Sequence, residues 1–96
     1  MSYKIIISPK AQNEIEESYD FYFGRSRSSA INFISSLAET YNLLSLHPHF
    51  QFVYKNIRAV RIKKYPFALY FVVDESTSIV RVLSCFHTSR NPLNHP

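Results

Sequence analysis

Apolar positions along the chain change period twice, and those changes divide it into elements. Tyr3 to Ser8 is a short run centred on Ile5-Ile6-Ile7, closed by Pro9, which lacks the N–H a central strand needs. Ser8 is placed to cap a helix with Pro9 in its first turn. Ala11, Ile15, Tyr19 and Tyr22 then recur at helical spacing until Gly24 offers a stop. After Arg25-Ser26-Arg27-Ser28, the positions Ala30, Phe33, Ile34, Leu37, Tyr41 and Leu44 trace a second helical stripe, ended by Pro48. The two stripes predict an αα-hairpin.

From Asn56 the period falls to two, with Val60 and Ile62 on one side of a strand and Arg61 and Lys63 on the other. Pro66 breaks the run, Phe67 to Val73 form a second strand, and Asp74-Glu75-Ser76-Thr77 read as a hairpin turn. Ile79 to Phe86 complete the pair, and simple alternation puts Arg81 on a face with Leu83 and Cys85. The expected fold is α+β, in the order β-α-α-β-β-β, with a helical hairpin packed on one face of a mostly antiparallel four-stranded sheet. The opposite face would then be solvated or free to bind.

Composition agrees with a folded chain. Hydrophobic residues make up 46% and charged residues 19% of 96 residues, which suits a single domain over residues 1–96. No apolar run is long enough to span a bilayer and no h-region follows Met1, so a cytoplasmic chain with no membrane contact is expected. Cys85 stands alone in an apolar strand, the setting of a structural thiol.

The net charge of +4 is unevenly placed. Residues 1–53 hold Lys4, Lys10, Arg25 and Arg27 against Glu14, Glu16, Glu17, Asp20 and Glu39. Residues 54–96 hold seven basic side chains against Asp74 and Glu75 alone. The C-terminal half would therefore attract nucleic acid or an acidic protein segment.

Several chemistries lack their residues. With one glycine the chain has no phosphate-cradling loop, so no nucleotide cofactor is expected. His47 and His49 flank Pro48 without a neighbouring Cys or carboxylate, so no metal site is expected there. Phe86-His87-Thr88-Ser89-Arg90-Asn91-Pro92 does gather an imidazole, two hydroxyls and a guanidinium. Such a group could move a proton and hold a phosphate during RNA cleavage. Equally, His87 could bond a backbone carbonyl and Arg90 could pin the tail to Glu17 or Asp20.

The element order, Val53-Tyr54-Lys55-Asn56-Ile57-Arg58, Lys63-Lys64-Tyr65-Pro66-Phe67 with Tyr70 and Phe71, and His87-Thr88-Ser89-Arg90-Asn91-Pro92 together resemble the RelE/ParE toxin superfamily of type II toxin–antitoxin and plasmid-stabilisation modules. The opening Ser8-Pro9-Lys10-Ala11 and the helix end Tyr19-Asp20-Phe21-Tyr22 fit the same habit, so the resemblance spans about residues 3–92. It implies a growth-inhibiting toxin neutralised by a cognate antitoxin, reaching operator DNA only through that antitoxin. RelE-like members cut mRNA in the ribosomal A site, and ParE-like members poison DNA gyrase. RelE-like chains usually carry an arginine where this sequence has Phe67 in Phe67-Ala68-Leu69-Tyr70, whereas His87, Arg90 and Asn91 match a ParE-type ending. The resemblance therefore points to the ParE-like branch. A ribosome-dependent endoribonuclease and a non-toxic antitoxin-binding corepressor are the alternatives. Arg58, Arg61, Lys63, Arg81, His87 and Arg90 are the candidate target- or antitoxin-binding residues, with His87 and Arg90 the catalytic candidates in a nuclease.

Overall fold

A computed structural model describes residues 2–88. Strand β1 (Lys4–Ile7) leads directly into helix α1 (Pro9–Arg25). Ser8 makes that junction: its side chain accepts from the Ala11 N–H at 3.1 Å and donates to the Leu83 carbonyl at 3.0 Å, with Pro9 in the first turn. Gly24 does not stop the helix. Ser26, extended at φ −168°, ends α1 and caps α2 (Arg27–Leu46) by accepting from the Ser29 N–H at 3.0 Å.

Among the described residues the sheet has five strands, not the expected four. A short strand β2 (Phe52–Tyr54) precedes β3 (Ile57–Arg61), β4 (Phe67–Asp74) and β5 (Ile79–His87), in spatial order β1-β5-β4-β3-β2. Among the described strands only the β1–β5 pair is parallel. Lys55 at φ 50° turns the β2–β3 hairpin, a left-handed conformation unusual for a side chain of its kind, and this hid the turn in the sequence.

Both helices cover one face of the sheet. Ala11 and Ile15 from α1 and Phe33, Leu37 and Leu44 from α2 meet Val60, Ile62, Leu69, Phe71, Val80 and Val82. Phe33 is fully buried, and its ring lies 5.2 Å from Tyr22, 5.4 Å from Tyr65 and 5.8 Å from Phe67. Ile34, expected in the stripe, is 40% exposed, while Thr40 is buried and donates to the Ser36 carbonyl at 2.9 Å.

A bulge in β5 changes the expected faces. Tyr70 pairs with Ser84 but Phe71 pairs with Val82, so Leu83 is an extra residue. The insertion returns Cys85 to the helix-covered core beside Leu69, leaving Arg81 on the other face opposite Val72. Arg81, Leu83 and Cys85 therefore do not share a face.

Past Val82, β1 no longer covers β5, and α1 takes over the exposed edge. The Glu14 carboxylate accepts from the Cys85 N–H at 3.2 Å and the Ser84 hydroxyl at 2.9 Å, and pairs with Lys10 at 3.5 Å. Burial, reinforced by the Glu14 carboxylate, pushes the Cys85 thiol up to about 12, so it stays protonated at neutral pH. A disulfide reagent such as DTNB should leave Cys85 untouched over minutes in the native protein and react fully in guanidinium chloride. Fast reaction of the native chain would mean this edge is open.

Candidate functional site

A groove of about 460 Å³ runs between α1 and the end of the sheet. Its walls include Glu14, Glu17, Phe21, Tyr22 and Arg25 from the helix, and Pro66, Phe67, Phe86 and His87 from the sheet. Arg25 belongs to the last turn of α1, where a cation suits the helix dipole, and its guanidinium sits 5.0 Å from the Phe21 ring centre. His87 pairs across the ladder with Phe67, the two rings meeting edge to face at 5.2 Å. Burial, with Tyr65 beside it, raises the Tyr22 hydroxyl above its usual range, so Tyr22 remains a neutral hydrogen-bonding group.

The candidate residues fall in separate places. Arg61 pairs with Ala68 and Arg81 with Val72, both on the face away from the helices. They stand four residues apart along β4 and two strands apart, roughly 16 Å. Between them Tyr70 and Phe86 form a ring pair 4.2 Å apart on that face. Lys63 lies in the β3–β4 turn with Lys64, which the Thr88 N–H reaches by donating to the Pro66 carbonyl at 2.9 Å. Arg61, Lys63, Lys64 and Arg81 form no salt bridge among the described residues.

Arg58 faces the helix side, opposite Phe71. Its guanidinium donates to the Phe50 carbonyl at 2.5 Å and covers the Phe52 ring at 3.9 Å. Arg90 lies outside the described residues. His87 is thus separated by the sheet from Arg61 and Arg81, and shares its groove with Arg25, which the sequence pattern had placed in a linker.

A second cluster forms at the other end of the sheet. Glu75 accepts from the Tyr3 hydroxyl at 2.6 Å and meets the His49 Nε2 at 2.6 Å, joining the chain start, the α2–β2 segment and the β4–β5 turn. No local spacing links residues so distant in sequence. The bonds from Tyr3 and then His49 hold the Glu75 carboxyl below its ordinary range. Because the folded value is depressed, the contribution is present above the unfolded carboxylate range and is lost as pH falls through the folded value. Glu75→Gln should lower thermal stability slightly at neutral pH and leave it unchanged at acid pH, so that the acid limb of the stability–pH curve is shallower. An unaltered acid limb would show that the cluster carries no linkage.

A family model for the ParE toxin of the type II toxin–antitoxin system parDE matches residues 5–92. The chain belongs to the ParE toxin family. It is therefore a type II toxin of the ParE/RelE kind. No curated protein matches the chain. Among solved structures, the chromosomal ParDE system of P. aeruginosa contains a similar chain, with a TM-score of 0.75 at 16% identity, covering 88% of this chain and 95% of that one. The RelBE2 toxin–antitoxin complex of Mycobacterium tuberculosis follows at a TM-score of 0.64 and 13% identity, over 91% and 99% of the two chains. A mutant of the E. coli toxin RelE in the free state gives a TM-score of 0.54 at 11% identity, over 96% and 90%. At these identities the likeness is one of fold. The fold brings Arg25 and His87 into one groove and leaves Arg61 and Arg81 on the reverse side of the sheet.

Proposed function

We propose that this ParE-family chain arrests growth by acting on DNA gyrase, in the cytoplasm, and that a cognate antitoxin neutralises it. The observation that carries gyrase over ribosomal mRNA is the setting of His87. Cleavage by a 2′-hydroxyl needs a proton acceptor and several cations around one phosphate. Here Phe67 supplies a ring beside His87, Arg61 and Arg81 lie behind the sheet, and Glu14 and Glu17 in the groove would repel a phosphate. An aromatic groove with mixed charge suits a protein surface better than an RNA backbone.

Contact with target or antitoxin falls to Arg58, Arg61, Lys63, Arg81, His87 and Arg90, joined now by Arg25. Arg61, Lys63 and Arg81, which form no salt bridge among the described residues, favour an acidic antitoxin, through which alone the chain would reach operator DNA. No helix among the described residues is long and apolar enough to cross a membrane.

The direct test mixes the purified chain with purified gyrase, ATP and relaxed plasmid. Lost supercoiling and accumulated cleaved DNA are expected. Unimpaired supercoiling together with codon-dependent cutting of mRNA on purified ribosomes would transfer the assignment to the endoribonuclease reading.

A further inference from the structure

The fold gathers cations that the sequence keeps far apart. Tyr65, in the β3–β4 turn, meets Tyr22 of α1 at 5.2 Å and Phe33 of α2 at 5.4 Å, and the Thr88 N–H donates to the Pro66 carbonyl at 2.9 Å. These contacts bring the α1–α2 junction, the β3–β4 turn and the end of β5 to one end of the molecule. Arg25, Arg27, Lys63 and Lys64 stand exposed there, and none forms a salt bridge among the described residues. Carboxylates keep away from this end: no Asp or Glu occurs in residues 21–38 or 40–73, nor after Glu75. Asp74 and Glu75 follow the far end of β4, and the groove acids Glu14 and Glu17 lie further back along α1. Lys64 holds φ 73°, a left-handed conformation that glycine or asparagine takes at lower cost, so this cation is presented at the expense of backbone strain.

We infer that this end of the molecule, through Arg25, Arg27, Lys63 and Lys64, binds the phosphate backbone of duplex DNA. Exposed cations of this kind, with the Ser28 hydroxyl beside them, are the donors that phosphate oxygens take, and they position a protein on a duplex without reading its sequence. Recognition of an operator therefore stays with the antitoxin. A protein partner fits the patch less well, because residues 24–29 and 63–66 present none of the large exposed apolar side chains that anchor the core of such an interface. A second copy of the chain would set like charges against each other. Under the reading above, the duplex is the segment that gyrase holds, met by the patch while the adjoining groove grips the enzyme. Which DNA is bound rests on that reading, and the affinity for phosphate does not.

The test titrates the ¹⁵N-labelled full chain with a fluorescent twelve-base-pair duplex in the absence of gyrase, following anisotropy and the amide spectrum. A Kd of about 1–100 μM is expected, with amide shifts concentrated in the α1–α2 junction and the β3–β4 turn. Between about 50 and 200 mM salt, the logarithm of affinity should fall against that of salt with a slope of about −3.6, the value for four neutralised phosphates. Arg27→Ala and Lys64→Ala, both exposed changes, should each make the slope shallower by about one. Lys55→Ala, in the β2–β3 turn at the opposite end of β3, should leave it as it is. Tighter binding of a polyglutamate peptide or an RNA hairpin, shifts confined to another surface, a slope that neither variant alters, or no binding by the folded chain would overturn the inference. Normal DNA binding by a chain that leaves gyrase uninhibited would overturn only the gyrase reading, so the two fail separately.

Discussion

Phe33→Ala is expected to remove about 3–5 kcal/mol of folding stability, a large share of what a domain of this size possesses. Phe33 is the fully buried ring on which both layers converge, touching Tyr22 of α1 and Tyr65 and Phe67 of the sheet. Truncation removes the transfer energy of the ring and leaves a cavity that three other rings cannot all close. For a chain of this length each kcal/mol lowers the melting temperature by about 4–8 °C, so a fall of roughly 12–40 °C should appear in a thermal melt. Phe33→Leu, which retains much of the volume, should lose far less. A loss below about 1 kcal/mol for the alanine variant would show that the helices are anchored elsewhere.

The second large effect is functional. Arg25→Glu should free a host from growth arrest while the protein remains folded and able to bind its antitoxin. Arg25 is exposed at the end of α1, so the substitution costs little in packing, yet it reverses the charge facing the groove opposite His87. Truncating a central interface residue typically costs 2–4 kcal/mol, and charge reversal at the same place belongs at the upper end, roughly a 1,000-fold loss of affinity for the target. Plating efficiency after induction measures this, with thermal melting as the check on folding. Arrest as strong as that of the unaltered chain would remove the groove from the mechanism. Arg81→Ala, on the reverse face, separates the two surfaces: its phenotype should differ from that of Arg25→Glu.

Much of this architecture is legible along the chain because it rests on periodicity. The stripe through Phe33, Leu37 and Leu44 and the alternation at Val60-Arg61-Ile62 each report a single buried face, and the continuous apolar run of β4 reports a central strand buried on both faces from Ala68 to Phe71. The helical stripe overreached only at Ile34, where the hairpin does not extend far enough to cover a wider face. What was hidden has particular causes. Strand β2 has three residues, too few to show a period, and its turn lacks the glycine that usually marks a hairpin. The β5 bulge shifts every face assignment after Val82 by one residue, and no residue in Val82-Leu83-Ser84 advertises it.

The site was legible residue by residue rather than as an assembly. His87 and the basic strand positions stood out by residue type, but their separation by the sheet follows from pairing register. Arg25 went unassigned because Gly24 suggested a helix end one residue early. Ser26 was the better signal, since a serine that both ends one helix and begins the next leaves Arg25 in a helical turn facing the groove. The Tyr3–Glu75–His49 cluster depends wholly on tertiary contact.

As proposed, the groove around His87 and Arg25 acts on gyrase rather than on ribosome-bound mRNA. Pulse-labelling of DNA and protein synthesis in a bacterial host, within minutes of inducing the chain without its antitoxin, tests it most directly. DNA synthesis should fall first, with induction of the DNA-damage response and relief in hosts carrying altered gyrase. Protein synthesis falling first, with DNA synthesis following only later, would contradict it, as would a host in which neither falls while the folded chain accumulates.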